Sequence, residues 1–132
     1  EALRARMAAA HLFVEPRQIV EFCRNTGMRV CLDTSHSKLA CNHLGASFAQ
    51  FLREVLPHTA HLHLADARGA AGEGLQIEEG EIDWHETWRA ILAAPARPSF
   101  IPEIWQGHKN DGEGAWLALR RLSAVLDRAQ AA

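Results

Sequence analysis

The chain is short of cysteine, has no tyrosine, and lacks long apolar runs. Its three cysteines, Cys23, Cys31 and Cys41, are odd in number and lack C-x-x-C spacing. They do not make a disulfide framework and read as reduced thiols of a cytoplasmic protein. No apolar run approaches the length of a membrane span, and no signal peptide opens the sequence. Charge of one sign is missing too. Fourteen Lys and Arg face sixteen Asp and Glu, interspersed, for a formal net charge of −2. A general nucleic-acid binder would carry a basic stripe, and none is present. Internal repeats are absent, as is low complexity beyond an Ala-rich tail. What remains is ordinary globular material: 132 residues, 48% hydrophobic and 23% charged. That is enough for one modest domain with a real core, and too apolar for disorder.

Residues 1–14 are Ala- and Arg-rich and weakly helical in pattern. Glu15-Pro16 opens a helix in which Ile19, Phe22 and Cys23 share a face and Gly27 ends it. An apolar strand follows from Met28 to Leu32 and stops at Asp33. The polar stretch containing Lys38, Cys41, Asn42 and His43 reads as a loop. Ser47 and Gln50 form a capping box for a helix running to Leu56, and Pro57 stops it. Ala60 to Ala65 is a second strand. A Gly- and Glu-rich stretch, G-E-G-L-Q-I-E-E-G-E-I-D, reads as a flexible loop. Asp83 and Glu86 then cap a helix with Trp84, Trp88, Ile91 and Leu92 inward. Ser99 to Glu103 is the third strand. The last helix carries Trp116, Leu119, Leu122 and Leu126 as its buried stripe. This α-β-α-β-α-β-α order implies a parallel sheet with helical crossovers. Three strands cannot close a barrel, so the expectation is an α/β fold that is the C-terminal portion of a larger (β/α) protein and not a complete fold.

The eight histidines exceed what such a composition needs, and several stand at strand ends. Asp33 and His36 lie in V-C-L-D-T-S-H-S, His61 and His63 in H-L-H-L-A-D-A-R, and Glu103 in F-I-P-E-I-W-Q-G-H. Acids and histidines on the ends of successive strands are what a divalent metal site in a β/α enzyme requires. Alone, Asp33 could simply cap the next segment, and either histidine could be a satisfied core residue. Side chains alternate along a strand, so His61 and His63 share a face, and His63 is nearer the catalytic end. A carboxylate at Glu103, behind an apolar strand, needs a metal or an ion pair, with Arg68 and Lys109 as candidate partners. Gln106, His108, Lys109 and Asn110 follow Glu103 and could bind a polar ligand. The Gly-rich loop is not a Walker pattern and carries acids, so it is a weak phosphate signal.

Taken together, D-T-S-H, H-L-H-L-A-D-A-R-G with the following G-E-G…G-E-I-D-W, and P-E-I-W resemble the xylose-isomerase-like TIM-barrel superfamily. That group holds sugar and sugar-phosphate isomerases and epimerases and the type 2 AP endonucleases. The extended forms L-C-L-D-T-S-H-S-x-L-A-C-N and P-E-I-W-Q-G-H-K-N are similar to an epimerase-like barrel fused to sialic acid synthase-type enzymes. The resemblance covers about residues 16–126 and fits the last three barrel strands. It implies an α/β fold that is the C-terminal portion of a (β/α)8 TIM barrel, residues 1–132 holding the last three βα units preceded by a helix, with the remainder of the barrel upstream.

The resemblance implies a Mn²⁺-type metal (Mg²⁺, Co²⁺ and Zn²⁺ being alternatives) held by Asp33, His63, Glu103 and a further Glu on the preceding strand. Neither Glu1, in an Ala/Arg-rich context, nor Glu15, at a helix start, matches that fourth position. It implies that His36 and Arg68 contact a sugar substrate; the residues themselves add Lys109 as a substrate-binding candidate and His61 as one that stands behind His63. Glu103 would be one of two acid–base carboxylates moving a proton next to a carbonyl through an enediolate. The family often has Gly where Glu78 stands. Two other readings are an AP-endonuclease-like metal hydrolase, disfavoured by the missing basic stripe, and a non-catalytic accessory barrel of a sugar-acid synthase. Unpaired sheet edges also leave a homo-oligomer open.

Overall fold

A computed structural model of the chain describes residues 13–131. The Ala/Arg-rich start, with Glu1, lies outside these residues. Helix α1 (Pro16–Thr26) begins where Gln18 Oε1 accepts the Glu15 N–H at 2.9 Å. It ends at Gly27, left-handed at φ 71°, whose N–H returns to the Cys23 carbonyl. Strand β1 (Val30–Asp33) leads directly into α2 (Thr34–Leu44), then α3 (Phe48–Val55) and a 3-10 turn at Leu56–His58. Strands β2 (Thr59–Leu64), β3 (Asp66–Arg68) and β4 (Gly72–Leu75) follow. Helix α4 (Trp84–Ala93), β5 (Ser99–Pro102) and α5 (Lys109–Ala131) complete the order.

Strands β1, β2 and β5 form a parallel sheet in the order β1-β2-β5, as the alternating pattern predicts. The register places Cys31, His61 and Ser99 side by side, then Leu32, Leu62 and Phe100, then Asp33, His63 and Ile101. Alternation therefore sorts the sheet into two chemically distinct faces. Leu32, Leu62 and Leu64 point to one face and are buried under helices. There they meet Phe51, Leu52 and Val55 of α3, Trp84, Trp88 and Ile91 of α4, and Leu122 and Val125 of α5. Trp88 also donates its indole N–H to the Leu122 carbonyl at 3.1 Å, tying α4 to α5. The opposite face carries Cys31, Asp33, His61, His63 and Ile101. In a closed barrel it would line the interior.

Several expectations change. The stretch after Asp33 is not a loop but α2. Its buried side is built from Thr34, Ser35, Ser37 and Cys41, so it carries no apolar period to read. Thr34 Oγ1 donates to the Ala65 carbonyl at 2.8 Å, and Ser37 Oγ donates to the Asp33 carbonyl at 2.6 Å. Ser47 caps α3 by accepting the Gln50 N–H, but the Gln50 side chain turns away to Glu54 instead of closing a box. Leu92 of α4 is exposed, on the side of the helix away from the core. In α5 the buried stripe is Ala118, Leu122 and Val125, while Trp116 is 59% exposed.

The Gly- and Glu-rich stretch is not a flexible loop. It contains the antiparallel hairpin β3–β4 and is fastened along its length. Asp66 is fully buried and accepts from the N–H groups of Ala67 and Ile82 and from the Trp84 indole, at 2.8, 3.0 and 2.8 Å. Ile77 is fully buried, and Arg121 donates to its carbonyl at 2.6 Å. Glu78 sits at φ 68°, a conformation glycine adopts without strain.

Candidate metal centre

Three strand ends deliver the site. Asp33 closes β1 and is also the N-cap of α2, its Oδ1 accepting the His36 N–H at 2.9 Å. The cap and the ligand reading of Asp33 are thus compatible, because the second oxygen stays free of that bond. His63 stands opposite it in register on β2. Thr34 Oγ1 accepts the Ala65 N–H at 3.1 Å as well as donating across, so the ends of β1 and β2 are clamped together. Glu103 extends the ladder one step past β5, donating its N–H to the Leu64 carbonyl at 3.0 Å.

The side chains converge. One ligand atom from each of Asp33, His63 and Glu103 lies within 4.8 Å of the others. His63 Nδ1 is 2.5 Å from Glu103 Oε2, so the partner of Glu103 is His63 and not Arg68 or Lys109. Burial pushes the Asp33 carboxyl above the usual carboxylate range. The His36 N–H and imidazole pull it down, and the neighbouring Glu103 charge pushes it up again. The Cys31 thiol is raised as well, first by burial and then by Asp33 and Glu103. Two carboxylates brought this close repel when both are ionised, and a proton or a cation relieves that repulsion. Two hard oxygen donors and one imidazole nitrogen on one small patch fit a divalent cation.

Of the other candidates, His36 and His61 lie beside this cluster. His36, in the first turn of α2, lies 3.7 Å from Glu73 of β4, a rim carboxylate the sequence pattern did not mark. His61 is one layer deeper on the same face. Its Nδ1 is 2.8 Å from Ser99 Oγ, and its ring meets that of His63 edge-on at 5.4 Å. Arg68 ends β3 and donates to the Glu79 carbonyl at 2.6 Å. Lys109 is exposed at the start of α5. Just beyond it, Asn110, Asp111 and Gly112 all have left-handed backbone. Gln106 and His108 are exposed in the preceding turn. A small cavity of about 140 Å³ among Lys38, Phe48, Leu52 and Thr87 shares no residue with the cluster. The candidate site is an open face, not an enclosed pocket.

Parallel strands with helical crossovers and an acid–histidine cluster at their C-terminal ends define part of a (β/α) barrel. A family model described as xylose isomerase-like TIM barrel matches residues 7–124, and the chain belongs to that family. No curated protein sequence matches the chain. Among the described residues no helix is long and apolar enough to cross a membrane.

Proposed function

We propose that this barrel is a metal-dependent isomerase or epimerase acting on a sugar or sugar derivative. One observation carries the reading: in a xylose isomerase-like barrel, the ligand atoms of Asp33, His63 and Glu103 lie within 4.8 Å of one another. These three residues would hold the cation, of which Mn²⁺ is the best candidate and Mg²⁺, Co²⁺ or Zn²⁺ the others. A divalent cation there would polarise a neighbouring carbonyl and stabilise the negative charge that develops on it.

The residues have separate tasks. Glu103 keeps one oxygen against His63 and is about half exposed, which leaves its other oxygen able to take a proton from a substrate carbon. His36 and Arg68 would bond substrate hydroxyls, with Lys109 as a further polar contact. His61 lies beneath His63 and supports its ring. Glu103→Gln tests the assignment, because the amide keeps shape and an oxygen but cannot accept the proton. In the full-length protein the variant is expected to bind substrate and to lose exchange of solvent deuterium into the carbon next to the carbonyl. If the wild type with Mn²⁺, Mg²⁺ or Co²⁺ exchanges no such proton in any of a broad panel of ketoses and sugar phosphates, the enzyme reading fails. A non-catalytic accessory barrel then takes its place.

A further inference from the structure

The two carboxylates of the cluster stand on strands that do not touch each other, since β1 and β5 flank β2 on opposite sides. Their separation across His63 is therefore not fixed by a hydrogen-bond ladder between them. One backbone unit spans the gap from above. Gly74 of β4 donates its N–H to Ser35 Oγ at 2.9 Å, and its carbonyl accepts the Trp105 N–H at 2.8 Å. Ser35 is two residues past Asp33, and Trp105 is two residues past Glu103. Gly74 is thus bonded, one peptide group on each side, to the segments that follow both carboxylates.

Several features show that this bridge is built and not incidental. Gly74 has φ 64°, and a Cβ there would come within 3.2 Å of Trp105 Cβ and 3.3 Å of its backbone nitrogen, so the close approach requires glycine. Ser35 is buried, and its hydroxyl serves the Gly74 N–H. The hairpin itself is anchored at its far end, where Asn42 Nδ2 donates to the Gly69 carbonyl at 2.7 Å and Glu81 accepts the Gly69 N–H at 3.2 Å. Glu73, beside Gly74, reaches His36 on the rim.

We infer that the β4 segment is a strap across the metal centre, and that Ser35 and Gly74 are positioning residues that set the Asp33–Glu103 separation. The inference rests on the metal reading above. It makes a distinct claim, that the strap selects cations by size. Mg²⁺ demands near-ideal geometry at short range, whereas Ca²⁺ is larger and accepts irregular sites. A strap that holds the carboxylates at a fixed spacing favours the smaller ion, and loosening it erases that preference.

The test is calorimetric titration of the full-length protein with Mg²⁺, Mn²⁺ and Ca²⁺ in turn, comparing wild type with Ser35→Ala and Gly74→Ala. For Ser35→Ala, Mg²⁺ and Mn²⁺ are expected to bind about tenfold more weakly, as when the partners that orient metal ligands are lost, while Ca²⁺ changes far less. The Co²⁺ absorption spectrum should shift in the same variant, reporting altered coordination. Gly74→Ala should move in the same direction by more; because it strains the backbone and can unfold the chain, Ser35→Ala is the deciding variant. Equal weakening for all ions, or no change for any, overturns the strap while leaving the metal centre standing. If wild type binds none of the ions, or if Asp33→Ala and His63→Ala leave binding intact, the metal reading fails and the strap falls with it.

Discussion

Asp33 performs two tasks with two oxygens, and they separate under mutation. Oδ1 caps α2, and the carboxylate as a whole faces Glu103. Asp33→Asn keeps an oxygen for the His36 N–H and removes the charge. Because burial and Glu103 raise the folded-state pKa above the unfolded value, the ionised carboxylate is a burden on the metal-free fold. The stability Asp33 contributes is complete below its unfolded pKa and is lost as pH rises through the folded one. At neutral pH the metal-free Asn variant should therefore melt no lower than wild type, yet bind Mn²⁺ at least about tenfold more weakly. Metal affinity of wild type should decline on acidification at a pH above the ordinary carboxylate range, since the proton competes for the same oxygen. Calorimetry across pH, paired with thermal melts, checks both halves; a large loss of metal-free stability in the Asn variant would mean that the carboxylate is structural. At this scale the sequence was informative, since strand-end position and period two were enough to bring Asp33, His63 and Glu103 to one face. Glu73 was not legible because its partner His36 lies far away in sequence and the two meet only through a hairpin.

The elements that the sequence hid are those whose buried faces are polar. Helix α2 buries Thr34, Ser35 and Ser37, each of which makes a hydrogen bond to backbone, so a search for apolar spacing finds nothing. The same holds for the hairpin and the turns after it, which are fastened by a buried carboxylate. Asp66 gathers two backbone N–H groups and one indole, and Gly80 packs against it. A Cβ at Gly80 would stand 2.2 Å from Asp66 Oδ1 and 2.4 Å from the Ala67 carbonyl, both in the backbone-dense interior of the turn. Gly80→Ala is therefore expected to cost about 3 kcal/mol or more, the range of overpacking combined with a broken buried polar network. Urea unfolding measures it. A loss under about 1 kcal/mol would mean that the segment is the flexible loop its composition suggests. By contrast, α1, α3 and α4 announced themselves, because Ile19, Phe51, Leu52, Trp84 and Trp88 repeat at helical spacing and pack as read. Trp116 misled for a physical reason: six residues at 3.6 per turn set it about 120° round the helix from Leu122, off the buried stripe of Ala118, Leu122 and Val125.

Across the whole molecule the two sides of the sheet differ in how well they are covered. Helices bury the leucine side, while the side bearing the candidate site is open, with Ile101 46% exposed beside His63. Within the described residues β1 and β5 each have one neighbour, so each presents a row of unpaired backbone groups. Strand β5 is exposed along most of its length, including Phe100 on the helix side. Free parallel edges beside an uncovered face, with Ile101 exposed on it, favour pairing with another chain. Residues 1–132 prepared alone are accordingly expected to self-associate with rising concentration in sedimentation velocity. Ile101→Lys places a charge on the open face next to the edge without touching the leucine core. It should shift the population toward monomer while changing stability by no more than about 0.5 kcal/mol, as for surface substitutions. A cooperative, monomeric melt of the unmodified 132-residue chain would show that edges and face are already satisfied. The reading of these strands as a barrel segment that needs neighbours would then be lost.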